Sequence, residues 1–432
     1  MNAAADRARR VASATFGSLA IRNYRLFFAG QVISVSGSWM QRVAQAWLVL
    51  HLTGSGLALG TVTALQFLPL LLVGAWGGLL ADRLEKRRLL LATQASMGLL
   101  ALALGLLTLS ESVRLWIVYL LALALGVVTT VDNPARQAFV VELVGREHVT
   151  NAVSLNSAVF TSARVVGPAV AGVVINAVGT GWCFVVNALS FLAVLAALAL
   201  MDGSQLHREP PVARGGGQVR EGLRYVWSTA ELRVPLLLMA VVGTLALNFS
   251  VVLPLLASQT FGGDAGTYGL LFSMLGIGSL GGALFTAGRP EPSRRLLLGA
   301  LLAFGVLLLA AAAAPDVWTE VAVLVAVGAS SIVFQATANS TLQVNSSPEL
   351  RGRVMALYSV VFLGTTPIGA PLVGWVSESF GPRMGLALGG LAVLAALAVL
   401  GLWLWRRKAE PLSVRARKDK DRAGVTSQVL RG

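Results

Sequence analysis

The sequence has few charged residues and almost no cysteine or histidine. Only 12% of its 432 residues are Asp, Glu, Lys or Arg, whereas a soluble globular domain carries roughly 25%. The single cysteine, Cys183, excludes an internal disulfide and matches no metal-site spacing. The chain has only three scattered histidines, His51, His148 and His207, and no P-loop. It therefore lacks the side-chain groups of a metalloenzyme and of an ATP-driven pump.

Apolar residues instead make up 56% of the chain and form runs of twenty or more, such as 89–109 and 385–405. Runs of this length are typical of membrane-spanning helices, and they exclude a transmembrane barrel, whose strands alternate polar and apolar residues. We predict an all-α polytopic membrane protein with twelve spans: 26–50, 56–80, 89–109, 114–135, 152–176, 180–200, 234–257, 266–288, 296–314, 318–340, 353–377 and 384–405.

These spans divide the chain into two predicted six-helix bundles, 26–201 and 234–405. They are flanked by an N-terminal arm, 1–25, and a basic tail, 406–432, and are joined by a linker, 202–233. The linker begins with turn-forming residues and continues as VREGLRYVWSTAELR. Its apolar residues share one helical face, which predicts an amphipathic helix at the membrane surface: Val219, Leu223, Val226 and Trp227.

The net charge of +14 reflects topology rather than nucleic-acid binding. With both termini cytoplasmic, 30 of the 34 Lys and Arg residues fall in cytoplasmic segments. Of the other four, Arg42 and Arg164 fall inside spans, and only Arg114 and Arg383 fall in loops on the outer side. This asymmetry is the positive-inside rule, so we expect that orientation. For the basic tail, a solvated extension and a contact with lipid headgroups are both open.

An internal repeat supports two related halves. The segment NSAVFTSARVVGPAVAGV at 156–173 aligns with YSVVFLGTTPIGAPLVGW at 358–375, an offset of 202 positions. The pair GGLL at 77–80 and GGAL at 281–284 repeats at an offset of 204. Duplicated halves related by an axis along the membrane normal are an architecture of secondary transporters.

The segment GGLLADRLEKRRLLL at 77–91 resembles the signature that major facilitator superfamily transporters carry between spans two and three. Glu85 departs from it, because the superfamily usually has glycine there. The segments VDNPARQAFVVELV and EGLRYVW resemble the bacterial exporter branch that includes the enterobactin exporter. The resemblance covers nearly the whole chain and implies alternating access in a bacterial cytoplasmic membrane.

The resemblance also implies a gating latch on the cytoplasmic face. Its residues are expected to be Gly78, Asp82, Arg83, Arg87 and, as a second acid paired with Arg83 or Arg87, Asp132. The alternative is that the basic residues here only set topology. A second motif in span five, ARVVGPAVAG, resembles an export-associated signature, although Ala171 replaces one expected glycine. Its residues Gly167, Pro168 and Gly172 alternatively form an ordinary close helix crossing.

A polar stripe on span one predicts a cavity wall. Its spacing of three to four residues places its members on one helical face, which cannot be exposed to lipid cheaply: Gln31, Ser34, Ser38, Gln41, Arg42 and Gln45. In the second half, Thr244 and Asn248 on span seven and Ser331, Gln335 and Asn339 on span ten are weaker candidates. Polar contacts between helices are their alternative. In the superfamily, spans one, four, seven and ten line the central cavity.

The sequence places no acidic residue deep in a span, whereas Arg42 and Arg164 both fall inside spans. A buried arginine is a functional-site hypothesis by default and suits carboxylates and phosphates. We therefore predict a positively charged cavity that favours anionic or neutral substrates. Snorkelling is the alternative for Arg42, and a structural pair with carbonyls or water is the alternative for Arg164.

The sequence thus favours a secondary transporter that exports small organic molecules such as drugs, siderophores or secondary metabolites. An importer or lipid transporter of the same fold, and a non-transporting membrane sensor, are the alternatives. Neither an enzymatic activity nor a cofactor or metal is expected. The expected partners are the bilayer, a small-molecule substrate and, as a candidate coupling ion nearest to Asp132, protons. A monomer is expected.

Overall fold

The computed structural model describes residues 16–207, 218–289 and 291–409, so most of the N-terminal arm, the start of the linker and the tail from 410 lie outside it. Its helices, numbered here in chain order, are α1 (Arg22–Thr53), α2 (Gly56–Arg83), α3 (Lys86–Leu109), α4 (115–144), α5 (146–178), α6 (Thr180–Ala199), α7 (Gln218–Ser228), α8 (Ala230–Thr260), α9 (Ala265–Ala287), α10 (Arg294–Ala312), α11 (Val317–Asn345), α12 (Arg351–Phe380) and α13 (Pro382–Ala409). Short 3₁₀ turns cover Gly17–Ala20 and Gly203–Gln205.

The all-helical membrane fold is confirmed. Within the described residues, ten helical segments are long and apolar enough to cross a membrane. One of them, Leu115–Val178, contains two helices joined at Gly145, whose φ of 68° breaks the helix. The polar helix α1 is not among the ten. Separating α4 from α5 and adding α1 accounts for twelve long helices, although twelve membrane crossings remains a prediction.

The two halves repeat each other in backbone detail. Gly179 and Gly381, 202 positions apart, both have a φ of 92° at the start of a helix, a conformation that favours glycine. The residues that precede α4 and α11, Arg114 and Asp316, are also 202 positions apart and both have extended backbone. The repeat in the sequence therefore corresponds to a repeated helix geometry.

The helix bundle has two ends. The basic end contains the loops at 83–86, 199–206 and 345–351, and the opposite end contains those at 53–56, 260–265 and 380–382. Hydrogen bonds join the two halves at the opposite end. The Glu378 carboxylate accepts from the Ser55 hydroxyl at 2.5 Å and from the Leu57 N–H at 2.9 Å. The Gln259 amide donates to the Gly54 carbonyl at 3.1 Å.

Close backbone approaches seal the same end. A methyl group at Gly60 would overlap the Ala370 carbonyl, and one at Gly374 would overlap the Gly56 carbonyl, so α2 and α12 touch backbone to backbone. Between α5 and α9, a methyl group at Gly269 would come within 2.5 Å of the Pro168 carbonyl. Small residues permit such contacts between membrane helices. The bundle is therefore closed at the opposite end.

The predicted amphipathic helix is present as α7 and packs against α8 and α12. Its Val226 is fully buried, whereas Leu223 and Trp227 are exposed. The side chain of Val219 and the turn-rich segment 208–217 lie outside the described residues.

Helix α4 continues past the predicted end of span four. Span four is predicted to end at residue 135, which leaves Arg136 just outside it, but α4 extends to residue 144. Pro134 lies inside the helix without ending it, because tertiary packing around α4 outweighs the lost backbone hydrogen bond. Arg136 is therefore a helix residue, and this correction changes the site.

Candidate functional site

A cavity of about 380 Å³ lies between the helices and is lined mainly by the first half. From the predicted stripe on α1, Ser38, Gln41, Arg42 and Gln45 line it, together with Ser34. Helix α4 contributes Thr129, Asn133 and Arg136, and the second half contributes Phe362 and Leu363 from α12. Aromatic residues of the first half complete the apolar wall: Trp39, Phe67, Phe160 and Phe191.

A second cavity of about 590 Å³ lies nearer the basic end. Gln31, the first residue of the predicted stripe, lines this cavity. Four residues line both cavities and mark the boundary between them: Val35, Asn133, Phe160 and Arg136. Val153, at the basic end of α5, lines the second cavity and is exposed. The two cavities thus follow one another from the basic end into the bundle.

Trp39 lies beside two cationic side chains. The Arg42 guanidinium carbon is 4.6 Å from the centroid of the Trp39 ring, and that of Arg164 is 5.9 Å from it. Both distances are within the range of cation–π attraction. Trp39 also contacts Phe160 and, across the two halves, Phe272 on α9, with ring centroids 5.6 and 6.0 Å apart. The tryptophan therefore fixes Arg42 against the wall.

Arg42 presents its charge to the cavity. Its side chain is exposed although it lies deep in the bundle, because the exposed surface faces the cavity. In the described part of the chain, neither Arg42 nor Arg164 forms an ion pair. The Arg164 Nε is buried and has no hydrogen-bond partner there, and Arg164 does not line either cavity. Snorkelling to the surface is thus not the role of Arg42, which adds an unneutralised positive charge to the site.

Amide side chains hold one another in the wall. Asn187 on α6 donates to the Gln41 amide oxygen at 2.5 Å, and the Ser190 hydroxyl donates to the Asn187 side chain at 3.0 Å. Gln66 on α2 donates to the Gln45 amide oxygen at 2.9 Å. These bonds satisfy part of the hydrogen-bonding capacity of each amide. The remaining donors and acceptors are available to a ligand.

Asp132 pairs with Arg136, and the predicted pairing with Arg83 or Arg87 is wrong. Its carboxylate is fully buried and forms an ion pair with Arg136, one turn later on α4. It also accepts from the Thr93 hydroxyl at 2.7 Å and the Gln94 amide at 2.8 Å. Asp132 itself lines neither cavity. It is a buried acid within α4 that binds Arg136 and Gln94, two residues that do line the first cavity.

The other predicted latch residues lie at the basic end. Arg87 donates from Nε to the Leu198 carbonyl at 2.8 Å and from Nη2 to the Ala199 carbonyl at 3.0 Å. It therefore ties α3 to α6 within the first half. Asp82 and Gly78 are partly buried, and Arg83 is exposed. The adjacent Gly77 touches the Thr130 carbonyl so closely that a side chain would overlap it. A latch across the halves therefore remains a proposal.

The predicted cavity residues of the second half do not line either cavity. Each makes a hydrogen bond within its own helix. Asn248 donates to the Thr244 carbonyl at 2.8 Å, and Gln335 donates to the Ser331 carbonyl at 3.2 Å. Asn339 accepts from Gln343. These contacts favour a local structural role, and the described site is asymmetric.

The predicted export motif lies at contacts between helices. A side chain at Gly167 would overlap Trp39, and one at Gly172 would come within 2.9 Å of the Ala265 carbonyl of α9. The Pro168 carbonyl faces Gly269. The motif therefore permits the close approach of α5 to α1 and α9, and its Gly167 packs directly against the Trp39 side chain.

Sequence reasoning missed Gln66, Asn133, Arg136 and Asn187, which belong to the wall. Asn187 lies in the mainly apolar helix α6 with Ser190 three residues later, and Gln66 lies in the mainly apolar helix α2. Neither residue belongs to a long polar stripe like that of α1. Asn133 lies near the predicted end of span four, and Arg136 lies one position beyond that end. Among the described residues, no cluster of His, Cys, Asp or Glu is arranged to hold a metal ion.

The membrane fold and its internal cavities define a polytopic membrane transporter. The chain belongs to the family described as transmembrane secretion effector, whose model matches residues 13–424, and the resemblance to the major facilitator superfamily is confirmed. It is 25% identical over 378 residues to the staphyloferrin A transporter of Staphylococcus aureus (strain NCTC 8325 / PS 47), covering 86% of this chain and 93% of that protein.

Two further relatives are named as exporters or efflux pumps. The chain is 26% identical over 405 residues to the enterobactin exporter EntS of Citrobacter koseri, covering 90% of this chain and 94% of that protein. It is 27% identical over 361 residues to the multidrug efflux pump Tap of Mycolicibacterium fortuitum, covering 80% and 87%. The relatives are transporters rather than enzymes, which agrees with the function predicted from the sequence.

Solved structures share the fold. A bacterial homologue of the human lysosomal transporter Spinster, in an inward-facing and unoccupied conformation, matches with a TM-score of 0.68 and 14% identity, covering 88% of this chain and 95% of that one. A bacterial homologue of the iron transporter ferroportin, in an inward-facing state, also matches with a TM-score of 0.68, at 16% identity, covering 88% and 98%.

Proposed function

We propose that the protein exports small organic anions by alternating access and that planar aromatic acids fit its first cavity best. The observation that carries this proposal is Arg42, an exposed, unneutralised guanidinium held on Trp39 beside the cavity. A guanidinium recognises carboxylate and sulfonate groups through paired hydrogen bonds. The aromatic residues Phe67, Phe160 and Phe191 offer stacking surfaces to a ring carried by the same ligand.

Cavity size and polarity support this ligand class. A volume of about 380 Å³ falls within the roughly 300–1,000 Å³ of small-molecule sites. The amide groups of Gln41, Gln45 and Asn133 offer both donors and acceptors to hydroxyl or carbonyl groups on the ligand. The related enterobactin exporter and staphyloferrin A transporter support an organic substrate for this chain too.

The direction of transport follows from the proposed orientation. With the basic end in the cytoplasm, the second cavity receives substrate from inside the cell, and the hydrogen bonds at the opposite end form the extracellular gate. A membrane potential that is negative inside favours movement of an anion outward by ~2.3 kcal/mol per charge per 100 mV. An anion exporter thus has a driving force without any coupled ion.

The test compares permanently charged substrates of matched shape in proteoliposomes. Benzenesulfonate and benzyltrimethylammonium have similar size and opposite charge. We expect efflux of the sulfonate, and about a tenfold or larger loss of efflux with Arg42→Gln, because a charge-assisted hydrogen bond contributes ~1.5–3 kcal/mol. Arg42→Lys keeps the charge without the paired geometry and should be intermediate.

Arg88 offers a matched control, because its side chain is 83% exposed and lies away from the cavity. Arg88→Gln removes the same chemical group and should transport at the wild-type rate. Equal transport of cation and anion, unchanged in Arg42→Gln, would contradict the proposed substrate class. Vesicles sorted by orientation distinguish export from import.

A further inference from the structure

Glu320 is a buried acidic residue that lines neither of the two cavities. It lies in the first turn of α11, at the opposite end of the bundle, and its side chain is fully buried. Both carboxylate oxygens are buried, and neither has a hydrogen-bond partner among the described residues. Buried carboxylates normally accept several hydrogen bonds, as Asp132 does in the same protein. The isolation of Glu320 therefore needs a physical explanation.

The residue that corresponds to Glu320 in the first half of the internal repeat is apolar. Residues 202 positions apart are equivalent at the starts of α4 and α11, so Glu320 corresponds to Val118. Val118 is also fully buried. The second half thus has a carboxyl group where the first half has an aliphatic side chain. Placing an ionised carboxylate in such surroundings is strongly unfavourable unless an opposite charge pairs with it.

Few charged groups are near enough to compensate. Arg383, at the start of α13, interacts electrostatically with Glu320, but the two do not form an ion pair, because the described ion pairs lie elsewhere. The Arg383 guanidinium instead donates to the Ala314 carbonyl at 2.6 Å, at the end of α10. Arg383 is one of the two basic residues that fall in loops at the opposite end, against the charge asymmetry of the other loops.

The helices packed against α11 supply little else at this depth. At the opposite end, α9 has the phenol Tyr268 and the exposed Asp264 before it, and α10 has no titratable residue there. At the opposite end, α12 has Glu378, which is exposed and accepts hydrogen bonds from Ser55 and Leu57. The charged residues of α8 and the start of α12 lie at the basic end: Glu231, Arg233, Arg351 and Arg353. Asp316 precedes α11 and is exposed, and its carboxylate accepts hydrogen bonds from the backbone N–H groups of Trp318 and Thr319. The dipole of α11 favours a negative charge at Glu320 only weakly compared with burial.

We propose that Glu320 is a proton-binding site, occupied in this conformation and exchanging its proton with the solution at the opposite end when that end opens. In the closed state the carboxyl group is neutral, which suits its buried position. On opening, water reaches the carboxyl group, the proton leaves to the solution, and Arg383 moves from the Ala314 carbonyl to the carboxylate. This site lies outside the substrate cavity and does not depend on which substrate is carried.

Proton binding then biases the conformation. Because the closed state binds the proton more tightly than the open state, acid favours closure of the opposite end and alkali favours its opening. With that end extracellular, protons outside the cell return the exporter to its substrate-loading state. Because the proton enters and leaves at the same end, Glu320 carries no proton across the membrane. It provides pH control of closure in the half of the molecule that contributes least to the cavity.

Infrared spectroscopy of the purified full-length protein tests the protonation directly. The wild type should show the carbonyl stretch of a buried protonated carboxylic acid at neutral pH, and Glu320→Gln should lose it. Glu320→Val copies the residue of the first half and should lose it too. Glu111→Gln, which changes an exposed acid at the same end, should keep it. An identical carbonyl signal in the wild type and both Glu320 variants would overturn the proposal.

Spin-label distances test the coupling without any substrate. Labels at Ser112→Cys and Ala313→Cys, both exposed at the opposite end, report closure in a background with Cys183→Ala. We expect acid to increase the short-distance population in the wild type, and both Glu320 variants to stay short at every pH. Arg383→Gln removes the partner of the ionised form, so the transition should move to higher pH. A wild-type pH response in Glu320→Gln would overturn the proposal.

Discussion

Asp132 and Arg136 form an ion pair across one turn of α4, and they differ sharply in exposure: the acid is fully buried, whereas the arginine side chain is 28% exposed to the cavities. Arg136 also donates to the Gln31 amide oxygen of α1 at 3.3 Å. Its charge is therefore neutralised and its position fixed at the boundary of the two cavities. The neighbouring Arg42 has no such partner, so the two arginines are not equivalent toward an anion.

Asp132→Asn should lower the stability of the folded protein and, at the same time, raise its affinity for anions. Removing one partner of a fully buried ion pair costs ~3–5 kcal/mol, and we expect about half of that because Arg136 is partly exposed. The freed Arg136 then adds a second unneutralised charge to the cavity. Thermal unfolding and benzenesulfonate titration in detergent measure the two effects. A double variant, Asp132→Asn with Arg136→Gln, should recover stability but bind the anion no better than wild type.

Gly60→Ala should prevent closure of the opposite end. The added methyl group would overlap the Ala370 carbonyl of α12, and such overpacking costs ~1–3 kcal/mol in the closed state. Distances between spin labels across that end should lengthen, and transport should fall. Gly299→Ala is the matched control, because a methyl group there meets no atom within 4 Å. If both alanine variants behave alike, the contact between α2 and α12 is not a gate.

A comparison of Asp264 with Asp316 distinguishes the effect of losing a helix cap from the effect of losing a contact in the gate. Each accepts hydrogen bonds from the backbone at the start of its helix, so replacement by Ala should cost ~0.5–2 kcal/mol in either case. Only Asp264 also binds across the halves, accepting from Asn176 at 2.6 Å. Asp264→Ala should therefore shift the open–closed equilibrium, whereas Asp316→Ala should lower stability alone. Equal shifts in spin-label distance would contradict a gating role for Asp264.

The pH dependence of this contact has a definite sign. The Thr267 backbone N–H, which donates to the Asp264 carboxylate, lowers the pKa of that carboxyl below its usual value. The stabilisation is therefore complete above the ordinary pKa of aspartate, roughly 3.9, and is lost as the pH falls through the lower folded pKa. Closure should depend on Asp264 from neutral pH down to mild acid. Asp264→Asn should therefore still respond to pH between neutral pH and mild acid if the response arises at Glu320, although its populations are shifted toward the open state.

Asp82→Asn tests the remaining latch hypothesis. The opposite end is closed here, so a latch at the basic end would act in the alternate conformation. The variant should insert and unfold like the wild type, yet transport several-fold more slowly, because it destabilises a state visited only during turnover. Membrane abundance and single-turnover efflux separate these effects. Normal efflux from a well-inserted variant would leave Asp82 with a topological role.

The fold could be predicted because membrane helices leave a strong signal in composition. Apolar runs, loop charges and the repeat at an offset of 202 positions are properties of single segments of sequence. The α1 stripe was predictable for the same reason, since Gln41, Arg42 and Gln45 share one helical face. The pairing of Asp132 was not, because Thr93 and Gln94 come from another helix.

Two errors have a physical cause in boundary placement. Span four is predicted to end at residue 135, whereas α4 continues to residue 144, so the prediction leaves Arg136 outside the helix. Glu320 lies only a few residues inside span ten, and hydropathy treats such a position as interfacial. Burial there depends on how α9 and α10 pack against α11, which no local pattern reports.

Because the first half supplies most of the cavity lining, a bound substrate has a limited effect on the conformation of the protein. A ligand shifts a conformational equilibrium only through its difference in affinity between the two states. Most of the described wall belongs to the first half, so its contacts with a bound substrate stay the same when the two halves move relative to each other. The contacts that change are those with Phe362 and Leu363 of the second half. Substrates of different shape should then shift the conformational equilibrium by nearly the same amount. A broad range of substrates can therefore be transported by one cycle, whose rate is set by residues outside the cavity.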